Sequence, residues 1–302
     1  MFFSKKHREN QKDRETRKNQ KINTIMDGNK TREILNSGQV IVDGNKRNSS
    51  GTLSYQVANL QMIGERERQE DSFAVINAFN ASKIVTDGLF AIVCDGMGGM
   101  QDGKLISETA VQGFTEAFRN MNLREKSTIP FQLVNACYSV NRTVRELFGD
   151  VGGTTAALIL IFDSELYWLA VGDSPIFLKR GGNLVKLNKD HIYLNDLYLR
   201  ELENETIYKL AAETAEQKGS LTEYIGKEVI AEMDFNHEPL PLGIDDVVFV
   251  CSDGVSSYID ESEIKSAVDL IPKAACEYLD SIIQSKNNPA QDNYTCIIIS
   301  CV

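Results

Sequence analysis

Residues 89–96 read LFAIVCDG, six apolar residues followed by an acid and a glycine. Such a run predicts a buried strand that ends in a turn. An acid beside an apolar run recurs at Glu70 and Asp71 before residues 72–76, at Asp253 after residues 247–252, and at Asp292 before residues 294–299. A carboxylate at the end of a core strand costs stability unless its charge is compensated. Several of them, brought together, would form a site for a hard divalent cation.

The hydrophobic pattern outside this stretch predicts strands and helices in an irregular order. Strands are predicted at residues 55–62, 72–78, 89–94, 154–162, 165–171, 175–179, 184–187, 246–251 and 294–299, and helices at 103–118, 129–148, 261–270 and 273–285. Residues 190–225 are polar and are interpreted as an insert or flap over the core. Because strands and helices do not alternate regularly, the pattern favours an α+β fold over a doubly wound parallel sheet.

The charge distribution divides the chain near residue 50. The protein has 302 residues, is 42% hydrophobic and carries a formal net charge of −11. Residues 1–50 hold 12 Lys and Arg against 6 Asp and Glu, so the rest carries −17. We interpret residues 1–50 as a polar, basic, flexible tail or a docking arm, and residues 51–302 as one domain. An acidic domain of this kind is not expected to bind nucleic acid.

The six cysteines include no Cys-x-x-Cys pair, and most lie in apolar runs. This placement favours reduced core cysteines over disulfides or zinc ligands. The start of the sequence has no apolar signal-peptide core, and no run is long enough for a membrane span. We therefore expect a soluble, cytoplasmic protein, and a monomer.

Two other enzyme classes are disfavoured by the same residues. Residues 96–99 resemble the start of a dinucleotide-binding loop, but Gln101 stands where the G-x-G-x-x-G template needs glycine. Only three histidines exist, so a Ser-His-Asp triad or a histidine-based zinc site has little support.

Seven short motifs occur in the order found in metal-dependent protein phosphatases of the PP2C (PPM) type, which the chain resembles from about residue 54 to 302. They are Arg66-x-x-x-Glu70-Asp71, Asp95-Gly96-Met97-Gly98-Gly99, Gly153-Thr154-Thr155, Val171-Gly172-Asp173-Ser174, Asp190-His191, Cys251-Ser252-Asp253-Gly254 and Asp292-Asn293. Residues 221–226, LTEYIG, resemble bacterial members in particular.

The resemblance implies a four-layer αββα sandwich of two mainly antiparallel sheets with a binuclear Mn²⁺ or Mg²⁺ centre at one edge. It implies that Asp95 bridges the two ions, with the Gly96 carbonyl on one of them. Asp253 and Asp292 would bind the other ion. The remaining implied ligands are Glu70 and Asp71, directly or through water, and Asp150 at a third, weaker ion.

The chemistry implied is hydrolysis by a water activated between two cations about 4 Å apart, without a protein nucleophile. Arg66 would bind and orient the phosphoryl group through its planar fork. Five residues depart from the usual motifs: Met97, Met100 and Lys104 stand in place of histidine, histidine and glutamate, Pro175 in place of a frequent arginine, and Ser257 in place of a frequent aspartate.

The leading hypothesis is a Mn²⁺- or Mg²⁺-dependent phosphatase acting on phosphoserine and phosphothreonine in proteins. Its partners would be phosphoproteins modified by a cognate Ser/Thr kinase. The alternative is a catalytically silent phosphatase-like module that senses or docks a partner. A third and weaker reading is a nucleotide-dependent oxidoreductase.

Overall fold

Two antiparallel sheets form the centre of the protein in the computed structural model, which describes residues 53–98, 102–203 and 214–302. The predicted tail, residues 1–50, lies outside the described residues. The strands are β1 (Tyr55–Met62), β2 (Ser72–Ile76), β3 (Leu89–Cys94), β4 (Gly96–Gly98), β5 (Gly152–Thr154), β6 (Ala156–Phe162), β7 (Glu165–Val171), β8 (Ile176–Arg180), β9 (Asn183–Lys186), β10 (Asp234–Phe235), β11 (Leu240–Pro241), β12 (Val247–Cys251) and β13 (Tyr294–Cys301). The α-helices are α1 (Ala81–Asp87), α2 (Asp102–Arg119), α3 (Ile129–Phe148), α4 (Tyr193–Glu203), α5 (Asp253–Ser256), α6 (Glu261–Val268) and α7 (Pro272–Ser285).

The first sheet has the strand order β1-β13-β12-β8-β9. The second has the order β10-β7-β6-β3-β2, with β11 also paired to β7, and β4 and β5 form a separate short ribbon. Neighbouring strands in all three sheets run antiparallel. β13 therefore lies between β1 and β12 although it is the last strand in the sequence.

Three hydrophobic clusters divide the protein into four layers. One joins the second sheet to α2 and α3, the next joins the two sheets, and the last joins the first sheet to α6 and α7. In β3, Phe90 and Ile92 face the helices while Ala91 and Val93 face the other sheet. A strand covered on both faces has no polar side, which explains the unbroken apolar run at residues 89–94. This arrangement confirms the predicted α+β fold.

Most predicted elements correspond closely to observed ones, but two predicted strands differ in extent, and β4, β10, β11, α1, α4 and α5 were not predicted. The expected strand at 154–162 is divided, because β5 ends at Thr154 and β6 begins at Ala156. The expected strand at 72–78 ends at Ile76, and Asn77 takes a positive φ of 67°. α1 was not predicted, since it is a seven-residue helix without a buried residue.

The six cysteines are free and buried, which confirms the expected reduced core cysteines. In the described part of the chain, none of the helices combines the length and apolar character that crossing a membrane requires.

Candidate active site

Strand ends from both sheets bring the predicted acidic residues to one edge of the sandwich. Asp95 lies between β3 and β4, and Asp71 directly precedes β2 in the same sheet. Asp253 begins α5 directly after β12, and Asp292 lies just before β13. The carboxyl groups of Asp95 and Asp253 contact each other, so the two sheets meet at this point.

Asp71 is fully buried and is held from the opposite sheet. Its Oδ2 accepts a hydrogen bond from the Ser252 hydroxyl at 2.8 Å. Its Oδ1 is buried and has no hydrogen-bond partner of good geometry among the described residues, although the nearby Thr295 hydroxyl acts to lower the pKa of Asp71. A buried carboxylate oxygen without a donor is costly, and a cation beside it would remove that cost.

Asp95 is fixed through its backbone. Its N–H donates to the Thr155 hydroxyl at 2.9 Å. Its carbonyl accepts from the Thr154 hydroxyl at 2.8 Å and from the Thr155 N–H at 2.9 Å. The break between β5 and β6 at Thr155 therefore has a function, because it turns this backbone toward Asp95.

Asn293 ties the loop before β2 to the loop before β13. Its Oδ1 accepts from the Glu70 N–H at 2.6 Å, and its amide donates to the carbonyls of Ile63 and Arg68 at 2.8 and 2.9 Å. The loop that carries Arg66 is thus attached beside Asp292. Arg66 donates from Nη2 to Asp292 Oδ2 at 2.6 Å, and 58% of its side chain stays exposed.

Two glycines allow the close backbone approach that the site requires. A Cβ on Gly254 would lie 1.9 Å from the Asn293 carbonyl oxygen. A Cβ on Gly96 would lie 2.3 Å from the Gly103 carbonyl oxygen and 2.6 Å from that of Glu70. Each glycine follows the acid at the end of its strand, so any side chain there would push the ligand-bearing loops apart.

The carboxylates raise one another's pKa values. Burial raises the pKa of Asp71 to about 6, and the charges of Asp253 and Asp292 add to the shift. Burial, together with Asp71 and Asp253, holds the pKa of Asp95 well above its usual range. Burial raises the pKa of Asp253 as well, and Asp292 acts in the same direction. Carboxyl groups gathered in this way are stabilised as anions by a multiply charged cation.

Residues 63–289 match the model of a family described as Protein phosphatase 2C. The chain belongs to the protein phosphatase 2C family. Membership of this family makes it a protein phosphatase, as the sequence motifs indicated. One relative of this phosphatase is the protein phosphatase PhpP of Streptococcus pneumoniae. It is 29% identical over 215 residues, which cover 69% of this chain and 84% of PhpP.

Solved phosphatase structures share the fold. The serine/threonine phosphatase of S. agalactiae superposes with a TM-score of 0.69 and 23% identity, covering 82% of this chain and 99% of that one. The catalytic domain of the phosphatase PstP, in complex with two manganese ions, gives a TM-score of 0.62 at 20% identity. It covers 83% of this chain and all of PstP's. The four-layer sandwich of this phosphatase is thus the family fold.

The donor set of this phosphatase fits a hard divalent ion. The atoms that could hold such an ion are carboxylate and carbonyl oxygens, and one buried Asp71 oxygen has no well-placed donor among the described residues. In the described residues, no three His, Cys, Asp or Glu side chains are arranged to hold an ion by themselves. Mg²⁺ is usually bound through one or two carboxylates and keeps several waters, so a complete protein cage is not required.

Asp173 joins the cluster although the sequence motifs assign it no role. Burial raises its pKa to about 7, and the charges of Asp253 and Asp190 add to the shift. It follows the buried strand β7 by a single glycine. The rule that singled out Asp95 and Asp253, an acid at the end of an apolar strand, also applies to Asp173.

Asp150 has different surroundings from the other predicted ligands. Its carboxylate pairs with Arg145, and 86% of its side chain is exposed. His191, from the Asp190-His191 motif, is buried and accepts a hydrogen bond at Nδ1 from the Gly172 N–H at 3.1 Å. It therefore supports the turn that carries Asp173.

Proposed function

We propose that this protein hydrolyses phosphoserine and phosphothreonine in other proteins with the help of two Mn²⁺ or Mg²⁺ ions. The observation that carries the proposal is the contact between Asp95 and Asp253, carboxylates from opposite sheets, with Arg66 close by on Asp292. The S. agalactiae relative is named a serine/threonine phosphatase, and PstP was solved with two manganese ions. Both relatives support the choice of substrate and metal.

In this proposal each carboxylate has a separate task. Asp95 would bridge the two ions, with the Gly96 carbonyl on one of them. Asp253 and Asp292 would hold the other ion, and Glu70 and Asp71 would act directly or through bound water. When bound, such a pair of ions supplies an activated water for in-line attack on phosphorus.

Arg66 is the group that would bind the phosphoryl oxygens. Its guanidinium is exposed and, within the described part of the chain, forms an ion pair with Asp292 alone, so one edge of the fork can reach a substrate. The planar fork binds phosphate through two hydrogen bonds and would offset the charge that develops during transfer. Asp292 would have two alternative partners, Arg66 and a metal ion. Substrate binding at Arg66 would therefore be coupled to metal binding at Asp292.

A third, weaker ion at Asp150 remains part of the proposal. Binding there would require Asp150 to leave Arg145, and Ser257 offers a hydroxyl where a carboxylate is frequent in the family. Both features predict weak occupancy. The substrates would be phosphoproteins made by a cognate Ser/Thr kinase.

The first test measures the activity of Asp95→Asn and Asp253→Asn. Each substitution keeps the side-chain shape and removes one ligand charge. We expect hydrolysis of p-nitrophenyl phosphate and of phosphothreonine peptides with Mn²⁺ to fall by more than about 100-fold. Mutation of a residue that only hydrogen-bonds to a metal ligand already lowers metal affinity or activity by about 10–100-fold. Addition of a chelator should abolish the wild-type activity.

Asp163→Asn is the matched control. Asp163 lies in the turn between β6 and β7 at φ 53°, a conformation that asparagine adopts readily, and its exposed carboxylate pairs with Lys126. This variant should retain wild-type rates. Wild-type rates in Asp253→Asn would overturn the proposed site, and Mn²⁺ binding by calorimetry without turnover on any substrate would favour the silent module.

A further inference from the structure

A groove of about 610 Å³ opens beside the carboxylate cluster. Asp173 and Asp253 of the carboxylate cluster line it, together with residues of β8, β9, α6 and the start of the flap region. Its volume is within the range of ligand pockets. Its apolar lining residues are Pro175, Phe177, Leu184, Ile192, Ile259 and Ile264.

Besides Asp173 and Asp253, the charged residues that line the groove are Glu261, which is exposed to solvent, and two residues that pair with each other. Lys186 and Asp190 line it together and form an ion pair with each other. Two further lining positions, Pro175 and Ser257, are those where the motifs depart from a frequent arginine and a frequent aspartate. The departures replace two charges with an apolar ring and a small hydroxyl at the same surface. An apolar group entering the groove would therefore leave no buried charge unpaired.

We propose that this groove binds an apolar side chain of the phosphoprotein substrate, close in sequence to the phosphorylated residue. The inference rests on the proposed function, since the groove begins at the carboxylates where the phosphoryl group would be bound. A peptide whose phosphoresidue lies at Asp253 would extend along Phe177 and Leu184. Burial of an apolar side chain there would select a leucine-sized residue over alanine.

β9 offers a matched pair of positions for the test. Leu184 and Lys186 both line the groove, as expected for residues two apart on one face of a strand. Val185 lies between them on the opposite face and is 51% exposed. Leu184→Ser should therefore change the groove, whereas Val185→Ser should not.

The experiment uses the full chain with Mn²⁺ and a series of phosphothreonine peptides made of small residues, in which a single leucine is moved through the flanking positions. Alanine at the same position gives the reference. We expect leucine to raise kcat/KM by about tenfold at one or two positions in the wild type and in Val185→Ser. The leucine-to-alanine ratio should fall toward one in Leu184→Ser.

Ile192→Ala, on the flap side of the groove, serves as a second variant if Leu184→Ser folds poorly, and its ratio should fall in the same way. A leucine-to-alanine ratio near one at every position of the wild type would overturn the proposal. So would an unchanged ratio in both groove variants.

Faster hydrolysis of all peptides by Leu184→Ser would assign the groove to a segment of the chain itself and would also overturn the proposal. If the wild type hydrolysed neither p-nitrophenyl phosphate nor any peptide, the proposed function would fail instead.

Discussion

His191 shows how a single buried side chain supports the site without touching it. Its Nδ1 lies 3.1 Å from both the N–H and the carbonyl oxygen of Gly172, and the His191 backbone N–H donates to the same carbonyl at 3.0 Å. Its Nε2 is buried without a partner among the described residues. Burial lowers the pKa of the ring and so favours its neutral form, while the contact with the Gly172 backbone acts in the opposite direction.

Acid should destabilise the folded protein through His191. Because the unfolded chain takes up the proton first, acid favours the unfolded state, and this contribution of His191 to stability is lost as the pH falls below about 6.5. Urea unfolding at pH 7.5 and 5.5 should show a larger loss of stability for the wild type than for His191→Gln, whose amide does not titrate. Equal losses in the two proteins would contradict this role.

The residues that could be predicted from sequence are those whose signal is local. Asp95 and Asp253 each end an apolar run, and the run can be recognised without a structure. Ser252 and Asn293 could not be assigned their roles in this way. Each supports a residue far away in the sequence, Asp71 or Glu70, through a contact that only the packed sheets create.

At the scale of elements, the turn from β12 into α5 is the most tightly constrained connection. We expect Gly254→Ala to destabilise the protein by at least about 1–3 kcal/mol, because its Cβ would collide with the Asn293 carbonyl. Activity should fall with it, since Asp253 and Asp292 flank the collision. Chemical unfolding and p-nitrophenyl phosphate hydrolysis measure the two effects.

Gly243→Ala is the corresponding control. The nearest atom to its Cβ would be an Asp246 oxygen at 3.8 Å, an ordinary contact distance. This variant should match the wild type in both measurements. Wild-type stability and activity in Gly254→Ala would show that the turn can relax.

The strands and helices that could be predicted from the sequence are those whose apolar pattern reflects burial. Strands covered on both faces, such as β3 and β12, have continuous apolar sequences and were recognised. α1 was missed because it buries no residue and begins with a local cap, the Asn80 side chain accepting from the Lys83 N–H at 3.0 Å. The break at Thr155 was missed because its cause is the contact with Asp95, which is distant in the sequence.

In the molecule as a whole, the buried carboxylates of the site lower the stability of the metal-free protein. Asp71, Asp95 and Asp253 lie close together in a buried place, where burial and the neighbouring carboxylates oppose the ionisation of Asp71 and Asp95. We expect metal-free Asp95→Asn to be more stable than the metal-free wild type by about 1–2 kcal/mol, the usual size of a stabilising substitution. Mn²⁺ should raise the melting temperature of the wild type and have much less effect on the variant.

Thermal unfolding with a chelator and with Mn²⁺ checks both statements, and Asp163→Asn should follow the wild type under both conditions. A metal-free Asp95→Asn less stable than the wild type would show that the carboxylate is held mainly by its neighbours' hydrogen bonds. The predicted conflict between stability and function would then be absent.

The central place of β13 determines when the site can exist during synthesis. β1 can complete its pairing only after β13 leaves the ribosome, roughly ten to fifty seconds later at about 5–20 residues per second. Asp292 arrives just ahead of β13, so a growing chain holds Asp71 and Asp95 long before it has the full set of ligands. With the ligands proposed above, the nascent chain would therefore be inert until β13 has been synthesised.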